Sequence, residues 1–120
     1  YIGAPDSIRD YMYVDDHVAA YLQAMKDEKA DGEIFNVGTG VGVSNRELAE
    51  LIAKKIGFDS KKMKLGSYPP GYPFRPLASD QPYIVLDSTK IRKTLGWSPT
   101  VSLDEGIDRV IAHFRKQKRS

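Results

Sequence analysis

Ten residues, Ile8-Arg9-Asp10-Tyr11-Met12-Tyr13-Val14-Asp15-Asp16-His17, constrain most strongly what this chain can fold into. From Asp10 to Val14, Tyr11 and Tyr13 alternate with Met12 and Val14, the two-residue period of a half-buried strand. Arg9 stands at the mouth of that strand, just after the turn Ile2-Gly3-Ala4-Pro5-Asp6-Ser7. Asp16 is expected to be the N-cap of the following helix, because an aspartate carboxylate accepts from the free amides of a first turn. Val18, Leu22 and Met25 form that helix's apolar stripe, with Tyr21 beside them. Asp31-Gly32 then turns the chain.

The same alternation repeats downstream. Glu33–Val37 reads as a second short strand, running into Gly38-Thr39-Gly40-Val41-Gly42. Ser44 and Glu47 form a capping box, Leu48, Leu51, Ile52 and Ile56 an apolar stripe, and Gly57 a C′ stop. Lys62–Leu65 fits a short edge strand. Gly66–Pro82 carries too many prolines for regular structure and reads as a long loop. Tyr83–Leu86 is a short apolar strand, after which Asp87 or Ser88 caps a helix through Ile91 and Leu95. Gly96 ends that helix, and Trp97 is placed to fold back on its last turn. A second capping box, Ser102 to Glu105, opens the last helix, with Leu103, Ile107, Val110, Ile111 and Phe114 on its stripe. Strand, helix, strand, helix predicts an α/β fold with a small, mostly parallel sheet and crossover helices. The 120 residues predict one domain over residues 1–120.

Several function classes recede on composition. A net charge of +2 is too small to call for a polyanionic partner. There is no cysteine, hence no disulfide framework and no thiol chemistry, which fits a reducing cytoplasm. No apolar run approaches the ~20 residues of a membrane span. His17 and His113 have no companions at metal-ligand spacing, and no serine sits in a nucleophile elbow. The catalytic and metal readings are therefore empty. Asp10, Asp15 and Asp16 cluster, which a strand flank and a helix cap explain. Gly38-x-Gly40-x-Gly42 between a strand and a helix suggests a dinucleotide fingerprint, but that pattern's third glycine falls on Val43. A plain tight turn accounts for it. Arginines beside turns remain, Arg9 and Arg75. Two guanidinium groups converging on one point suit a diphosphate, because each donates paired hydrogen bonds to its oxygens.

Taken together, the segments Arg9-Asp10-Tyr11-Met12-Tyr13-Val14-Asp15-Asp16, Ile34-Phe35-Asn36-Val37-Gly38-Thr39-Gly40, Ser44-x-x-Glu47-Leu48, Asp87-Ser88-Thr89-Lys90, Leu95-Gly96-Trp97-x-Pro99 and Ser102-Leu103-Asp104-Glu105-Gly106 resemble a family. It is the extended short-chain dehydrogenase/reductases that act on nucleotide sugars, the NDP-sugar 4-epimerases and 4,6-dehydratases. The resemblance is to their C-terminal, substrate-binding part. It implies a Rossmann-type parent that is NAD-dependent, cytoplasmic and homodimeric, with the NAD-binding half absent from this chain. Neither the family's Gly-x-x-Gly-x-x-Gly turn nor its Tyr-x-x-x-Lys pair occurs here. The chain opens at Tyr1 in the middle of a turn and is expected to be a fragment, inactive alone.

Carried over residue by residue, the resemblance makes Arg9 the contact to the substrate's diphosphate and Asp16 the helix cap. Arg75 becomes the second phosphate arginine, Asp80 the aspartate near the ribose, and Tyr83 a wall of the nucleotide pocket. Gly38 and Gly40 become a structural turn. The implied ligand is an NDP-sugar, with no nucleic acid or membrane partner. The competing reading is a stand-alone α/β module that binds nucleic acid through Lys90, Arg92, Lys93 and the basic tail; no nucleic-acid motif accompanies them.

Overall fold

The computed structural model describes residues 1–73 and 80–117. It is an α/β structure with three strands and four α-helices in the order β1 (Ile8–Asp10), α1 (Val14–Ala24), β2 (Gly42–Ser44), α2 (Asn45–Ile56), β3 (Tyr83–Ile84), α3 (Thr89–Leu95) and α4 (Leu103–Gln117). The strands form one sheet in the order β2-β1-β3, and β1 pairs with β3 in parallel, Ile8 opposite Tyr83 and Arg9 opposite Ile84. Ile2 and Leu65 add an isolated parallel bridge, so the expected strand at Lys62–Leu65 is reduced to its last residue. The chain divides into two compact units. One is Tyr1–Arg9 with Gly42–Ile84; the other is Asp10–Val41 with Val85–Ser120.

In the first unit, α2 is built as its sequence predicts. The Ser44 hydroxyl accepts from the Glu47 amide, the Glu47 carboxylate accepts from the Ser44 amide, and Gly57 closes the helix at φ 71°. The amides of Asn45 and Arg46, orphans at a helix start, donate to the carbonyls of Ser7 and Pro5 at 3.0 and 2.9 Å. The Asn45 side chain adds a bond to the Ala4 carbonyl at 2.8 Å. The turn Ala4–Ser7 is thereby bolted to the start of α2.

In the second unit the core is Ala20, Ile91, Leu95 and Trp97, with Met12, Ala24, Ala30, Phe35 and Val37 packed against it. Burying a side chain such as Ile91 contributes roughly 1.5–3 kcal/mol. Trp97 is buried and its indole N–H donates to the Asp16 carbonyl at 3.1 Å. Gly96 ends α3 at φ 69°. The Ser88 hydroxyl is spent elsewhere, accepting from the Gly38 amide and donating to the Gly38 carbonyl; the Asp87 carboxylate takes the Thr89 amide instead.

Three expectations are corrected here. The strand expected at Asp10–Val14 lies earlier, at Ile8–Asp10. The segment Glu33–Val37 enters no ladder. Its alternation is real, since Phe35 and Val37 pack inward while Ile34 is 83% exposed, but a ladder also needs a neighbour. Finally, the α1 stripe faces outward: Val18, Tyr21, Leu22 and Met25 are exposed, and the helix buries Asp16 and Ala20.

Candidate functional site

Arg9 is the central residue of β1. Its Nη1 donates to the Ile8 carbonyl at 2.7 Å, and its Nη2 donates to Asp80 Oδ1, also at 2.7 Å. The other oxygen of Asp80, Oδ2, accepts from the Ser7 hydroxyl at 3.1 Å. The Arg9 and Asp80 side chains are 21% and 38% exposed, a pair partly shielded from water yet reachable from it. Asp80 also borders a hollow of about 330 Å³ lined with Pro5, Asp6, Ser7, Gly66 and Pro82. That volume lies at the lower end of ligand-sized clefts. A cation held from two sides, one of them by a residue that lines a hollow, is an arrangement suited to an anionic ligand.

The structure therefore brings together two of the expected site residues, Arg9 and Asp80, although they are far apart in sequence. Arg75 lies outside the described residues. Tyr83 does not join the pair. Its register opposite Ile8 sets it on the other face of the strand pair from Arg9, since successive side chains alternate, and it is 63% exposed. Ser7 was not singled out from the sequence. Only the fold brings its hydroxyl to Asp80, so no local pattern signals it.

Two members of the acidic cluster, Asp10 and Asp16, are structural, in a way the sequence does not show. Asp16 is not the N-cap of α1. The cap is Tyr13, which has no capping side chain, and the helix begins at Val14. Asp16 lies within the first turn, 4% exposed. Its Oδ1 accepts from the Thr100 amide and hydroxyl at 3.0 and 2.7 Å, and Oδ2 from the Val101 amide at 3.0 Å. The reason is competition: the buried Val101 amide would otherwise be left unpaired, a larger cost than an uncapped helix end, and the half-buried Thr100 amide and hydroxyl share the same carboxylate. Burial pushes the Asp16 carboxyl upward, but bonds from Val101 and Thr100, helped by Arg109, outweigh it and hold the group below its ordinary range.

Asp10 is tied up likewise. Its Oδ1 accepts from the Thr39 amide at 2.9 Å and the Thr39 hydroxyl; its Oδ2 accepts from the amides of Gly40 and Leu86 at 2.9 and 3.3 Å. Burial raises this carboxyl, and the bonds from Thr39, Gly40 and Leu86 together bring it below the usual carboxylate value. This decides the glycine turn. The amides of Thr39 and Gly40 point at Asp10, that of Gly38 at Ser88, and that of Val41 at the Thr39 hydroxyl. The donors a dinucleotide phosphate would need are already used, so the turn does not fit NAD. Gly40 is required by its φ of 79°, and Gly38 by space, since a Cβ there would lie 2.6 Å from Asp10 Oδ2.

Two of the basic residues invoked for nucleic-acid binding are engaged internally. Lys90 pairs with Glu33 at 2.5 Å, and Arg92 donates to the Thr39 carbonyl at 3.0 Å. Among the described residues there is no cluster of three or more candidate metal ligands, and no helix is long and apolar enough to cross a membrane.

Comparison with known proteins bears on the family. Residues 1–110 match the family model described as GDP-mannose 4,6 dehydratase. The chain is 38% identical over 117 residues to UDP-glucose 4-epimerase of Mycolicibacterium smegmatis, covering 98% of this chain and 34% of that protein. Among solved structures, UDP-glucose 4-epimerase of Thermotoga maritima with UDP-glucose superposes with a TM-score of 0.80 at 39% identity, covering 98% of this chain and 34% of that one. DesIV, a dTDP-glucose 4,6-dehydratase from Streptomyces venezuelae with NAD bound, gives 0.76 at 26% identity over 96% and 33%. The chain thus spans about a third of the length of the proteins it matches. The fold, the order of its motifs and a family match over nearly the whole chain agree that it belongs to the GDP-mannose 4,6 dehydratase family, within the extended short-chain dehydrogenase/reductases.

Proposed function

We propose that residues 1–120 form the substrate-binding part of an NAD-dependent NDP-sugar epimerase or 4,6-dehydratase, with Arg9 holding the substrate's diphosphate. The observation that carries this reading is the Arg9 guanidinium, fixed by the Ile8 carbonyl and by Asp80, a residue that lines an open hollow. The relatives that match this chain are an epimerase with UDP-glucose and a dehydratase with NAD, which supports a nucleoside-diphosphate ligand.

In this reading NAD belongs to the portion of the relatives that this chain does not span. It supplies hydride chemistry there. The contribution of the residues here is positioning: Arg9 neutralises the diphosphate and anchors the nucleotide so that the sugar reaches the reacting centre in one orientation. Asp80 stands next to Arg9 and carries the role of the aspartate near the ribose. Tyr83 as a wall of the nucleotide pocket has no supporting contact among the described residues.

The test is Arg9→Ala in the full-length protein, with UDP-, dTDP- and GDP-sugar binding measured by calorimetry. Loss of charge-assisted hydrogen bonds is expected to weaken the preferred ligand by about 1.5–3 kcal/mol. Wild-type affinity in that variant would remove the phosphate role. No observation favours the nucleic-acid reading.

A further inference from the structure

We infer that Ser7 is a positioning residue for diphosphate binding, acting on Arg9 through Asp80; the inference rests on the reading of Arg9 given above. The Asp80 carboxylate is divided. Its Oδ1 holds Arg9 Nη2 at 2.7 Å, and its Oδ2 is held by the Ser7 hydroxyl at 3.1 Å. A carboxylate bonded to Arg9 alone would be free to swing about its side-chain torsions and take the guanidinium with it. Ser7 supplies the second point that stops this rotation.

Ser7 is itself firmly held. It is 9% exposed, its carbonyl accepts from the Asn45 amide at 3.0 Å, and the preceding Pro5 carbonyl accepts from the Arg46 amide. The chain of fixation runs from the start of α2 to Ser7, from Ser7 to Asp80, and from Asp80 to Arg9. Together with the Nη1 bond to the Ile8 carbonyl, it sets the plane of the guanidinium before any ligand arrives. One N–H on each Nη is spent in this way. The Nε and the second N–H of each Nη have no partner among the described residues, and these are the groups left to meet an anion. Pre-setting them lowers the ordering cost of binding.

A rival arrangement has the opposite sign. If Asp80 served as a latch that the diphosphate must displace, loosening Asp80 would tighten binding. Ser7→Ala separates the two without changing any charge.

The experiment measures UDP, dTDP and GDP, each against its own nucleoside, on the full-length protein by calorimetry. The variants are Ser7→Ala, Arg9→Ala and the double variant, and a thermal melt of each checks folding. Ser7→Ala is expected to weaken the preferred nucleoside diphosphate roughly three- to tenfold, the loss of part of a charged hydrogen-bond network. Nucleoside binding should stay unchanged. In the Arg9→Ala background, Ser7→Ala should have no further effect, because Ser7 acts through Arg9. Unchanged or tighter diphosphate binding in Ser7→Ala, or an equal loss in both backgrounds, overturns the inference and leaves the Arg9 reading intact. Unchanged binding in Arg9→Ala overturns that reading as well. If Ser7→Ala melts well below the wild type, Ser7→Thr, which keeps the hydroxyl, decides: restored melting without restored affinity also overturns the inference.

Discussion

Asp16 is 4% exposed and takes its hydrogen bonds from one short segment, mostly from backbone amides. Asp80, with 38% of its side chain exposed, takes its bonds from two side chains, Ser7 and Arg9. Backbone donors inside a core fix an anion permanently and consume its capacity. Side-chain donors at a surface can be shared with a ligand. The difference teaches where to look for binding in this molecule: the carboxylates of Asp10 and Asp16 are spent on the fold, whereas the bonds of Asp80 leave it at a surface a ligand can reach.

The largest effect expected from this contrast is on stability. Asp16→Ala strands the buried Val101 amide and removes the acceptor of the half-buried Thr100 donors, and should cost about 3 kcal/mol, read from urea denaturation of the full-length protein. A cost as small as a surface substitution, under ~0.5 kcal/mol, would break the contrast. Asp10→Asn keeps the shape but turns an NH₂ toward amide donors, and about 2 kcal/mol should be lost in the same assay.

Acid sharpens the comparison further. Asp10 and Asp16 have folded pKa values below the ordinary carboxylate range, and the unfolded chain titrates near ~3.9. Their contribution is therefore fully present above that pH and is lost as pH falls through the folded values. Denaturation midpoints should be flat from pH ~7 to ~5 and drop below pH ~4, with a shallower drop in Asp16→Asn. A midpoint that rises on acidification would contradict the assignment.

The smallest effect belongs to Tyr83. Tyr83→Ala should change nucleoside-diphosphate affinity by less than about twofold, since the residue stands on the opposite face from Arg9. A tenfold loss would draw it back into the site.

Local chemistry was legible in the sequence. The Ser44–Glu47 box, the Gly57 and Gly96 stops and the last helix all appear where their signals stand, because each depends on residues within one or two turns. What failed depended on distant partners. Asp16 had the type and place of a cap, but its donors lie at Thr100 and Val101. Glu33–Val37 had the pattern of a strand, and pattern alone does not supply a neighbour. The periodicity of α1 was right and its direction wrong: the sequence shows a stripe but not which side meets the core. For the proposed site, type and turn context point to Arg9 and the family resemblance to Asp80, while Ser7 is an ordinary serine until the fold sets its hydroxyl against Asp80.

The Asp10 carboxylate also bears on how the chain comes to be folded. Its donors lie at Thr39, Gly40 and Leu86, so the knot cannot be completed until Leu86 exists. During synthesis the glycine turn becomes available to Asp10 before Leu86 does. Contacts of such long range slow folding and prolong the time in which partly built forms expose apolar surface. A nascent chain halted between Gly40 and Leu86 therefore holds this knot only in part.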